Sequence, residues 1–595
     1  MMALFFSKRW PAYALIALAT AVVWGHSIKF GFVWDDKYFI RDLTCVRSLD
    51  NIPGMFYRLD YQATRPEDFR VYRPIRTAQY ALLYSLAGKA EPPPWIYHLA
   101  NVVWHGATAM MLFAAAGLLL RRLNPGWTEA ESKIWAFGIA LAFAVHPVVS
   151  EVVCWAKSLD DILAAFFTLA ALREVLQPDE SIAARWRGVL FFALAVYSKV
   201  SAIPFVLVLP FLFFKVHRLS LKNIFWRTFP YLVVAMIYVV QRRLVLGRTT
   251  QTAPISGSYL QTLVDMLPVA LTYFRLLFGV PPFCIDYSYL TGGYQLLSVP
   301  VLCGTFMLVL LAVGGLLAWR SRHWKLCGFG LLWTGLFLLP VSNLLPMMQY
   351  LAERFLYLPL IGWLMTVAGV LAMLPRKKLI QGFWFGVVLL WAVTAWHRSW
   401  IWQDELTLFI RTSRENPHCN RVEDNAVAAI FDLPQIQCVY TNNNGHEVIS
   451  QHLSLPTVKA AETTFNEALK LYPTNHNLLR AQATLLATAG RPSEALPMFE
   501  KVAGMEATNA DSWMDCARAA WQAGQLDRSC HALDKVLAMD PTNHAAFSLL
   551  FACQWQGAAF SNALETARRW NQVAPDTNSV NALNRVLKRT KANSP

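Results

Sequence analysis

The most restrictive feature of this sequence is a series of apolar stretches, each long enough to approach or cross a bilayer, through its first two thirds. A chain of 595 residues that is 55% hydrophobic and only 15% charged is more apolar than soluble chains of this length. We therefore predict an all-α fold that begins with a polytopic helical membrane domain of about 11 spans. The apolar stretches lie near residues 10–27, 98–120, 133–148, 160–176, 187–199, 201–214, 228–246, 298–319, 326–342, 355–374 and 380–397.

The basic residues predict how these spans are oriented. A formal charge of +15 would suggest nucleic acid as the partner of a soluble protein. Here the Lys and Arg residues lie mostly between apolar stretches, so the positive-inside rule explains them better and nucleic acid is not an expected partner. The rule places the N-terminus inside and the C-terminus outside. Residues 247–297 then begin and end outside, and the helix-like stretch 260–280 is expected to lie along the surface or to re-enter.

On this topology, the outer face collects ionisable side chains at one membrane interface. Asp35 and Asp36 follow the first span and are flanked by Trp34 and Tyr38. Carboxylates at a bilayer edge are costly unless they are solvated, paired or used, although this pair can also simply mark the end of a span. A channel or transporter would place such groups near the midplane, so their position favours chemistry on a lipid-linked substrate. The same face holds Arg73, His146, Glu151, Lys157, Asp160, Asp161, Lys199, Asp286, Tyr287, Glu353 and Arg354.

Transfer of a sugar from a polyprenyl phosphate would need two kinds of side chain from this set. A carboxylate must accept the proton of the acceptor hydroxyl, and Asp35 or Asp36 can do so. Because adjacent residues point in different directions, only one of the two is expected to face the reaction. Cations must stabilise the departing phosphate. The candidates for that role are Arg73, Lys157, Lys199, Arg243 and Arg354.

Metal and cysteine chemistry find little support in the sequence. The ten cysteines show no C-x-x-C spacing, which argues against zinc, redox and haem motifs. His146 and Glu151 can share a metal or a hydrogen bond, but their spacing is loose for metal ligation. An equally weighted alternative is that His146-Pro147 is a helix-ending turn. Cys419 and Cys438 either form a disulfide in an oxidising compartment or stay free thiols.

The chain changes character after Trp396 and becomes repetitive after about residue 456. Prolines recur there in steps of 34 residues or twice that, and asparagines keep the same step. This period is typical of tetratricopeptide (TPR) repeats, which are stacked helix pairs with a concave binding face. We predict a membrane domain over 1–400, a linker or insertion with a turn at 442–445 over 401–455, and a TPR α-solenoid over 456–595. The recurring residues are Pro473, Pro541 and Pro575, Asn475, Asn509 and Asn543, and Ala461, Ala495 and Ala563.

The order of motifs along the chain resembles that of a known family. Together with the repeats, it is similar to the transmembrane and TPR-containing O-mannosyltransferase family and its bacterial relatives, over nearly the whole chain. The motifs that carry the resemblance are Phe32-Val-Trp-Asp-Asp36, Tyr72-Arg-Pro74, His98-Leu-Ala-Asn101 with His105, Phe143-Ala-Val-His-Pro147 with Glu151, Ser198-Lys199, Asp286-Tyr287, Leu339-Pro-Val-Ser-Asn343 and Ala352-Glu-Arg-Phe-Leu-Tyr-Leu-Pro359.

The resemblance implies a membrane glycosyltransferase of GT-C architecture. Such an enzyme would move a hexose, mannose in this family, from a polyprenyl- or dolichyl-phosphate donor to Ser/Thr of extracytoplasmic proteins, with inversion and without an obligatory metal or cofactor. In related enzymes the acidic pair after the first span carries the base, which makes Asp35 the first choice and Asp36 the second. The repeats would engage the acceptor protein or a partner. The residues expected at the donor or its phosphate are Arg73, His146, Glu151, Lys157, Asp161, Lys199 and Arg354.

Two departures from the family pattern keep other functions open. Leu159 stands where the family tends to have Arg, and Val200 where it usually has Glu. These substitutions favour a non-catalytic, membrane-anchored TPR scaffold as the alternative. A transporter of lipid or lipid-linked sugar is a third, weaker reading, since no polar path crosses the spans. The sequence contains no Asn-x-Ser/Thr site, which favours a bacterial inner membrane, with the repeats in the periplasm, over the endoplasmic reticulum with the repeats in the lumen.

Overall fold

The computed structural model describes two compact units, residues 1–422 and 423–595. Its described residues run from 10 to 592. The gaps are 63–70, 89–90, 178–180, 248–252, 288–289, 291, 322–323, 348, 416–425, 428, 432–439, 444–445 and 450–454.

The first unit consists of helices joined by short 3-10 turns, which agrees with the predicted all-α fold. Long apolar helices alternate with short ones, and proline starts several of them, since the first helical residue needs no N–H partner. The helices are α1 Trp10–Trp24, α2 Pro74–Ala87, α3 Pro94–Leu123, α4 Glu129–Val145, α5 Ser150–Cys154, α6 Leu159–Leu176, α7 Ile182–Ser198, α8 Phe205–Lys215, α9 Leu221–Leu246, α10 Tyr259–Leu277, α11 Val299–Arg320, α12 Lys325–Leu338, α13 Tyr357–Met373, α14 Lys377–Ser399 and α15 Glu405–Glu415.

The apolar helices fit a protein embedded in a membrane. Within the described residues, 7 helices are long and apolar enough to cross a bilayer, or up to 8 if the bent pair that joins α4 to α5 is one span. The other predicted spans are also helical, but α8 and α12 are short, α7 has 17 residues, and α6 carries Asp160, Asp161 and Arg173 near its ends. Several helices long and apolar enough to cross a membrane are thus confirmed, while the number eleven stays a prediction.

Helix α10 covers the stretch that we expected to lie along the surface or to re-enter. Its composition qualifies it as a span. Its polar contacts, however, run along the connection between α12 and α13. The Asn343 side-chain amide lies 3.3 Å from the sulfur of Met266, and the Tyr273 hydroxyl donates to the Tyr350 carbonyl at 3.4 Å. The middle and the C-terminal part of α10 therefore contact one connecting segment.

The second unit is an array of antiparallel helices whose sequence period has a structural cause. The recurring asparagines are N-caps: the side-chain oxygens of Asn475, Asn509 and Asn543 each accept a backbone N–H of the helix that follows, at 3.0–3.1 Å. The recurring alanines are buried where neighbouring helices meet. The helices are α16 Leu455–Leu471, α17 His476–Thr488, α18 Pro492–Met505, α19 Ala510–Gln522, α20 Leu526–Met539, α21 His544–Gln556, α22 Phe560–Val573 and α23 Thr577–Ala592.

The predicted insertion contains the one pair of strands found in the described residues. Strands β1 Tyr440–Asn443 and β2 His446–Ile449 form an antiparallel hairpin in which Asn443 pairs with His446. The predicted turn at 442–445 therefore falls partly in β1, and its last two residues lie outside the described part of the chain. Cys419 and Cys438, the predicted disulfide or free thiols, also lie outside it.

Candidate active site

Asp36 is a structural link between two turns of the first unit. Its carboxylate is fully buried, and it accepts the Val33 N–H at 2.9 Å and the Lys157 N–H at 2.8 Å. It thereby ties the segment after α1 to the turn before α6. Burial raises the pKa of Asp36 to about 8, against the opposing effect of the two backbone N–H groups. A carboxyl in this position is poorly placed to take a proton from an incoming hydroxyl.

Asp35 points to a different place than its neighbour, as adjacent residues must. Its side chain keeps 13% of its surface exposed, and its Oδ2 lies 3.7 Å from the ammonium nitrogen of Lys157. The preceding residue, Trp34, adopts a left-handed φ of 55°, a conformation that non-glycine residues rarely take. Its ring stacks on Trp155 at 4.9 Å between centroids. This stacking fixes the turn that presents Asp35.

Lys157 lies between the acidic turn and a group of further charges. Its ammonium group sits 4.3 Å from the ring centroid of Trp155, in cation–π geometry. Burial lowers the pKa of Lys157 to about 7; Asp35 and Asp160 oppose this change, whereas Arg73 and Arg354 add to it. The Lys157 ammonium is therefore a cation that titrates near neutral pH.

The start of α6 carries two buried carboxylates, each with a cationic partner. Asp160 pairs with Arg73, which precedes α2, and lies 3.7 Å from the ammonium nitrogen of Lys199. Asp161 forms a short ion pair with the same lysine. Segments that are far apart in the sequence are thus held together by charge.

Glu151 and Arg354 form a further buried ion pair. The glutamate carboxylate binds the Arg354 guanidinium and also accepts the Arg354 backbone N–H at 2.8 Å. The guanidinium donates to the Gln349 side-chain oxygen at 2.6 Å and lies over the ring of Trp155 at 5.5 Å. Arg354 also interacts electrostatically with Asp35. The pair therefore borders the acidic turn.

His146 has a different position from the other predicted site residues. It ends α4, its Nδ1 accepts the Val148 N–H at 3.3 Å, and its ring packs on Trp391 at 4.4 Å. The interpretation of His146-Pro147 as a helix-ending turn is the one that fits this geometry. In the part of the chain that the structure describes, no three His, Cys, Asp or Glu side chains come together as metal ligands.

A second buried network includes a residue that the sequence analysis did not single out. Arg398, at the end of α14, donates to both carboxylate oxygens of Glu353 at 2.7 Å and to the Ser150 hydroxyl at 2.8 Å. The hydroxyl of Tyr287, from the predicted Asp286-Tyr287 motif, donates to Glu353 at 2.9 Å. The only sequence signal for Arg398 is its position directly after an apolar stretch, and an arginine there also fits the ordinary end of a membrane span. Arg243, a predicted phosphate ligand, is instead exposed in the last turn of α9.

The two departures from the family pattern occupy different environments. Leu159 is fully buried in an apolar cluster that also contains Phe39 and Tyr80. Val200 lies in the turn after Lys199 with 38% of its surface exposed. Neither position holds a charge. The ion pairs of Asp160 and Asp161 nevertheless form without the charged side chains that the family pattern has at these positions.

An apolar cavity of about 550 Å³ lies among α10, α11 and α12. Tyr273, Leu311, Trp319 and Trp363 are among the side chains that line it. Trp363 belongs to α13, the helix that directly follows Glu353 and Arg354. One helix that lines the cavity therefore begins directly after the segment that carries the Arg354 ion pair.

Comparison with known proteins supports both parts of the predicted architecture. The tetratricopeptide repeat family model matches residues 486–529. The chain is 25% identical to human protein O-mannosyl-transferase TMTC3, over 70% of this chain and 49% of that protein. It is 23% identical to Tmtc3 of Drosophila melanogaster, over 70% of this chain and 53% of the relative. It is 26% identical to protein O-mannosyl-transferase F38B6.6 of Caenorhabditis elegans, over 64% of this chain and 54% of the relative.

Other matches are weaker or partial. The chain spans about half the length of the curated relatives it matches. A crystal structure of MamA protein aligns with 23% of this chain and 80% of that chain, at 16% identity and a TM-score of 0.20, too low to establish a shared fold. The resemblance drawn from the motifs is nevertheless confirmed by sequence: this chain is similar to the TMTC protein O-mannosyl-transferases, and a tetratricopeptide repeat model matches its C-terminal part.

Proposed function

We propose that this protein is a glycosyltransferase that moves a hexose, mannose, from a polyprenyl- or dolichyl-phosphate donor to Ser/Thr hydroxyls of proteins. The observation that carries the proposal is the position of Asp35. It is a partly exposed carboxylate at the edge of buried cations that face it from other segments, Lys157 and Arg354 among them. A base beside cations suits a reaction that takes a proton and releases a phosphate.

In this reaction Asp35 acts as the general base. Its carboxylate accepts the hydroxyl proton of the acceptor as that oxygen attacks the anomeric carbon. A new carbon–oxygen bond forms on the face opposite to the phosphate, so the configuration inverts. The bond between the anomeric carbon and the phosphate oxygen breaks, and its electron pair stays on the phosphate. Asp36 holds the turn in place through its two backbone hydrogen bonds.

The second requirement of this reaction is that the site binds and stabilises the departing phosphate. We assign Arg73, Lys157, Lys199 and Arg354 to it. Lys157 and Arg354 lie near Asp35, and Arg73 and Lys199 both lie near Asp160 at the start of α6. All four are already in ion pairs with carboxylates, which keeps them in place before the donor arrives. Electrostatic stabilisation by such fixed cations is usually the largest contribution to phosphate departure. Glu151 and Asp161 are positioning residues in this scheme.

The isoprenoid chain of the donor fits the apolar cavity among α10, α11 and α12. Its volume of about 550 Å³ falls in the range of ligand pockets, and its lining is almost entirely apolar. The helix that contributes Trp363 begins next to Arg354, so a lipid in the cavity would bring its phosphate towards the charged segment. The donor supplies the chemistry without a further cofactor.

The repeats and the location complete the proposal. We assign the tetratricopeptide array to binding of the acceptor protein or of a partner, because stacked helix pairs present extended concave surfaces. The protein would lie in a bacterial inner membrane, with the repeats on the side where the donor's sugar is exposed. The missing Asn-x-Ser/Thr sites support this location over the lumen of the endoplasmic reticulum.

The test is transfer of radiolabelled mannose from polyprenyl-phosphate mannose to a Ser/Thr-rich peptide. Purified wild type is compared with Asp35→Asn, which keeps the shape of the side chain and removes its basicity. We expect a loss of about 10²- to 10⁴-fold, the usual contribution of a general base. Asp42→Asn is the matched control, since Asp42 is exposed and pairs with its neighbour Arg41. Equal rates for Asp35→Asn and wild type would contradict Asp35 as the base.

The alternative function is a non-catalytic, membrane-anchored scaffold. Leu159 and Val200 favour it, because a drifted enzyme loses charges at positions that no longer matter. If purified wild type neither binds the donor nor transfers its sugar, while the repeats still bind a partner protein, the scaffold explains the molecule better. If it transfers label, these two substitutions are compatible with activity.

A further inference from the structure

The strongest unexplained feature of the first unit is a buried arginine in the first turn of α2. Arg76 has no exposed surface, and none of its three guanidinium nitrogens has a hydrogen-bond partner in the described structure. Its guanidinium lies over the ring of Phe39 at 4.7 Å and near Tyr80 at 5.5 Å. Five N–H donors without acceptors are costly in a buried site, and ring contacts compensate for only part of that cost.

The start of α2 lacks the anion that a helix N-terminus usually attracts. The N-cap residue is Arg73, whose side chain makes no capping hydrogen bond, and the first turn contains no acidic residue. The N–H groups of a first helical turn have no partner within the helix and carry partial positive charge. Two arginines at such an end add charge of the same sign. This arrangement suits a bound phosphate far better than an empty helix end.

One carboxylate at present stands in for an anion there. Asp160 pairs with Arg73 and lies 3.7 Å from the ammonium nitrogen of Lys199. Arg76 and Lys157 also act on it electrostatically, so four cationic side chains share it. Both of its oxygens nevertheless lack a hydrogen-bond partner that meets geometric criteria in the described residues. The charges are therefore gathered around Asp160 without being well satisfied by it.

We infer that the first turn of α2, with Arg73 and Arg76, is the subsite for the phosphate of the lipid donor, and that the Asp160 carboxylate occupies this subsite until the phosphate replaces it. The inference rests on the proposed function for the identity of the ligand. It adds Arg76 as a ligand that the sequence motifs did not indicate. It also gives Asp160 a specific role, that of a competitor whose removal should favour binding.

The two residues predict effects of opposite sign. Arg76→Met removes the charge and the donors but keeps an apolar stem against Phe39 and Tyr80, so phosphate affinity should fall by about tenfold or more, as expected for charge-assisted hydrogen bonds. Arg76→Lys keeps the charge and should lie between Arg76→Met and wild type. Asp160→Asn removes the competing anion and should raise the affinity several-fold. Arg58→Met is the matched control, since Arg58 is exposed and pairs with Asp60.

The experiment is calorimetric titration of the purified full-length chain in detergent with farnesyl phosphate. Titrations with farnesol and with inorganic phosphate distinguish the contribution of the lipid to binding from that of the anion. We expect wild type to bind farnesyl phosphate more tightly than farnesol. The melting temperature of each variant is recorded beside the affinity. A purely structural Arg76 would lower the melting temperature of Arg76→Met and leave the affinity unchanged, and that result would overturn the inference.

Failure of this inference can be told apart from failure of the proposed function. Phosphate binding that needs Arg76, in a protein that transfers no sugar, would support the subsite and reject the transferase. Sugar transfer by Arg76→Met with an unchanged donor KM would support the transferase and reject the subsite. Weaker binding of farnesyl phosphate by a folded Asp160→Asn protein would also overturn the inference, because a competitor cannot strengthen binding.

Discussion

The two units of this protein use charged side chains in opposite ways. In the first unit the ion pairs around the candidate site are buried: the side chains of Arg398 and Glu353, for example, are 8% and 0% exposed. In the repeats they lie at the surface, and those of Arg491 and Glu494 are 39% and 57% exposed. Water already solvates the surface pairs, whereas a buried charge depends on its partner. The repeats are thus stabilised by their apolar contacts and helix caps, while the first unit retains buried charges at an energetic cost.

The largest effect on stability should come from breaking a buried pair. Arg398→Met leaves the Glu353 carboxylate without the cation that binds both of its oxygens. We expect the first unit to lose about 3–5 kcal/mol of its free energy of unfolding, because an uncompensated charge stays in a buried place. Thermal unfolding of the purified protein in detergent measures this. The double variant Arg398→Met/Glu353→Gln should recover part of the loss. A normal melting temperature for Arg398→Met alone would show that water reaches Glu353.

A smaller loss is expected where one hydrogen bond of the acidic turn is removed. Asp36→Asn keeps one oxygen acceptor, so either the Val33 or the Lys157 N–H loses its partner. An unsatisfied buried N–H costs about 1–3 kcal/mol. The melting temperature should therefore fall more in Asp36→Asn than in Asp35→Asn, whose side chain is partly exposed. The reverse order would assign the structural role to Asp35 and reopen Asp36 as the base.

The contrast between the units also explains what the sequence could predict. The repeats follow from local rules: a period of 34 residues, small residues at helix contacts and asparagine caps such as Asn475 and Asn543. In the first unit, apolar stretches predict helices but not the number of membrane crossings. Helix α6 is buried on all sides and α7 along one face, so neither needs to be long and apolar throughout. The character of each helix there depends on its neighbours.

The candidate site shows the same contrast between features that local sequence predicts and features that depend on long-range contacts. Acidic motifs located Asp35 and Asp36, but one of the two backbone hydrogen bonds that give Asp36 its separate role comes from Lys157, 121 positions away. Arg76 and Arg398 escaped prediction because an arginine near an apolar stretch is usually an interfacial anchor. Only the fold shows that both guanidinium groups are buried. Long-range charge pairing leaves no periodic trace in the sequence.

The charged segment of the first unit should also respond to pH. Burial lowers the pKa of Lys157 to about 7, so its charge is present below that pH and lost above it. Binding of an anionic donor should weaken as pH rises from 6 to 8.5, and donor KM should increase up to about tenfold per pH unit above the pKa. In Lys157→Arg the charge persists, so donor KM should stay nearly constant. Parallel pH profiles for the two proteins would remove Lys157 from phosphate binding.

The smallest effect should come from the repeats, and it completes the comparison. Arg491→Met is the same substitution as Arg398→Met, but this guanidinium pairs with Glu462 and Glu494 at the surface. Water replaces the lost contacts of both glutamates, so the melting temperature should match wild type within error. A loss comparable to that of Arg398→Met would mean that this surface network holds neighbouring repeats together. The difference between the units would then lie in how many partners each charge has, and no longer in burial.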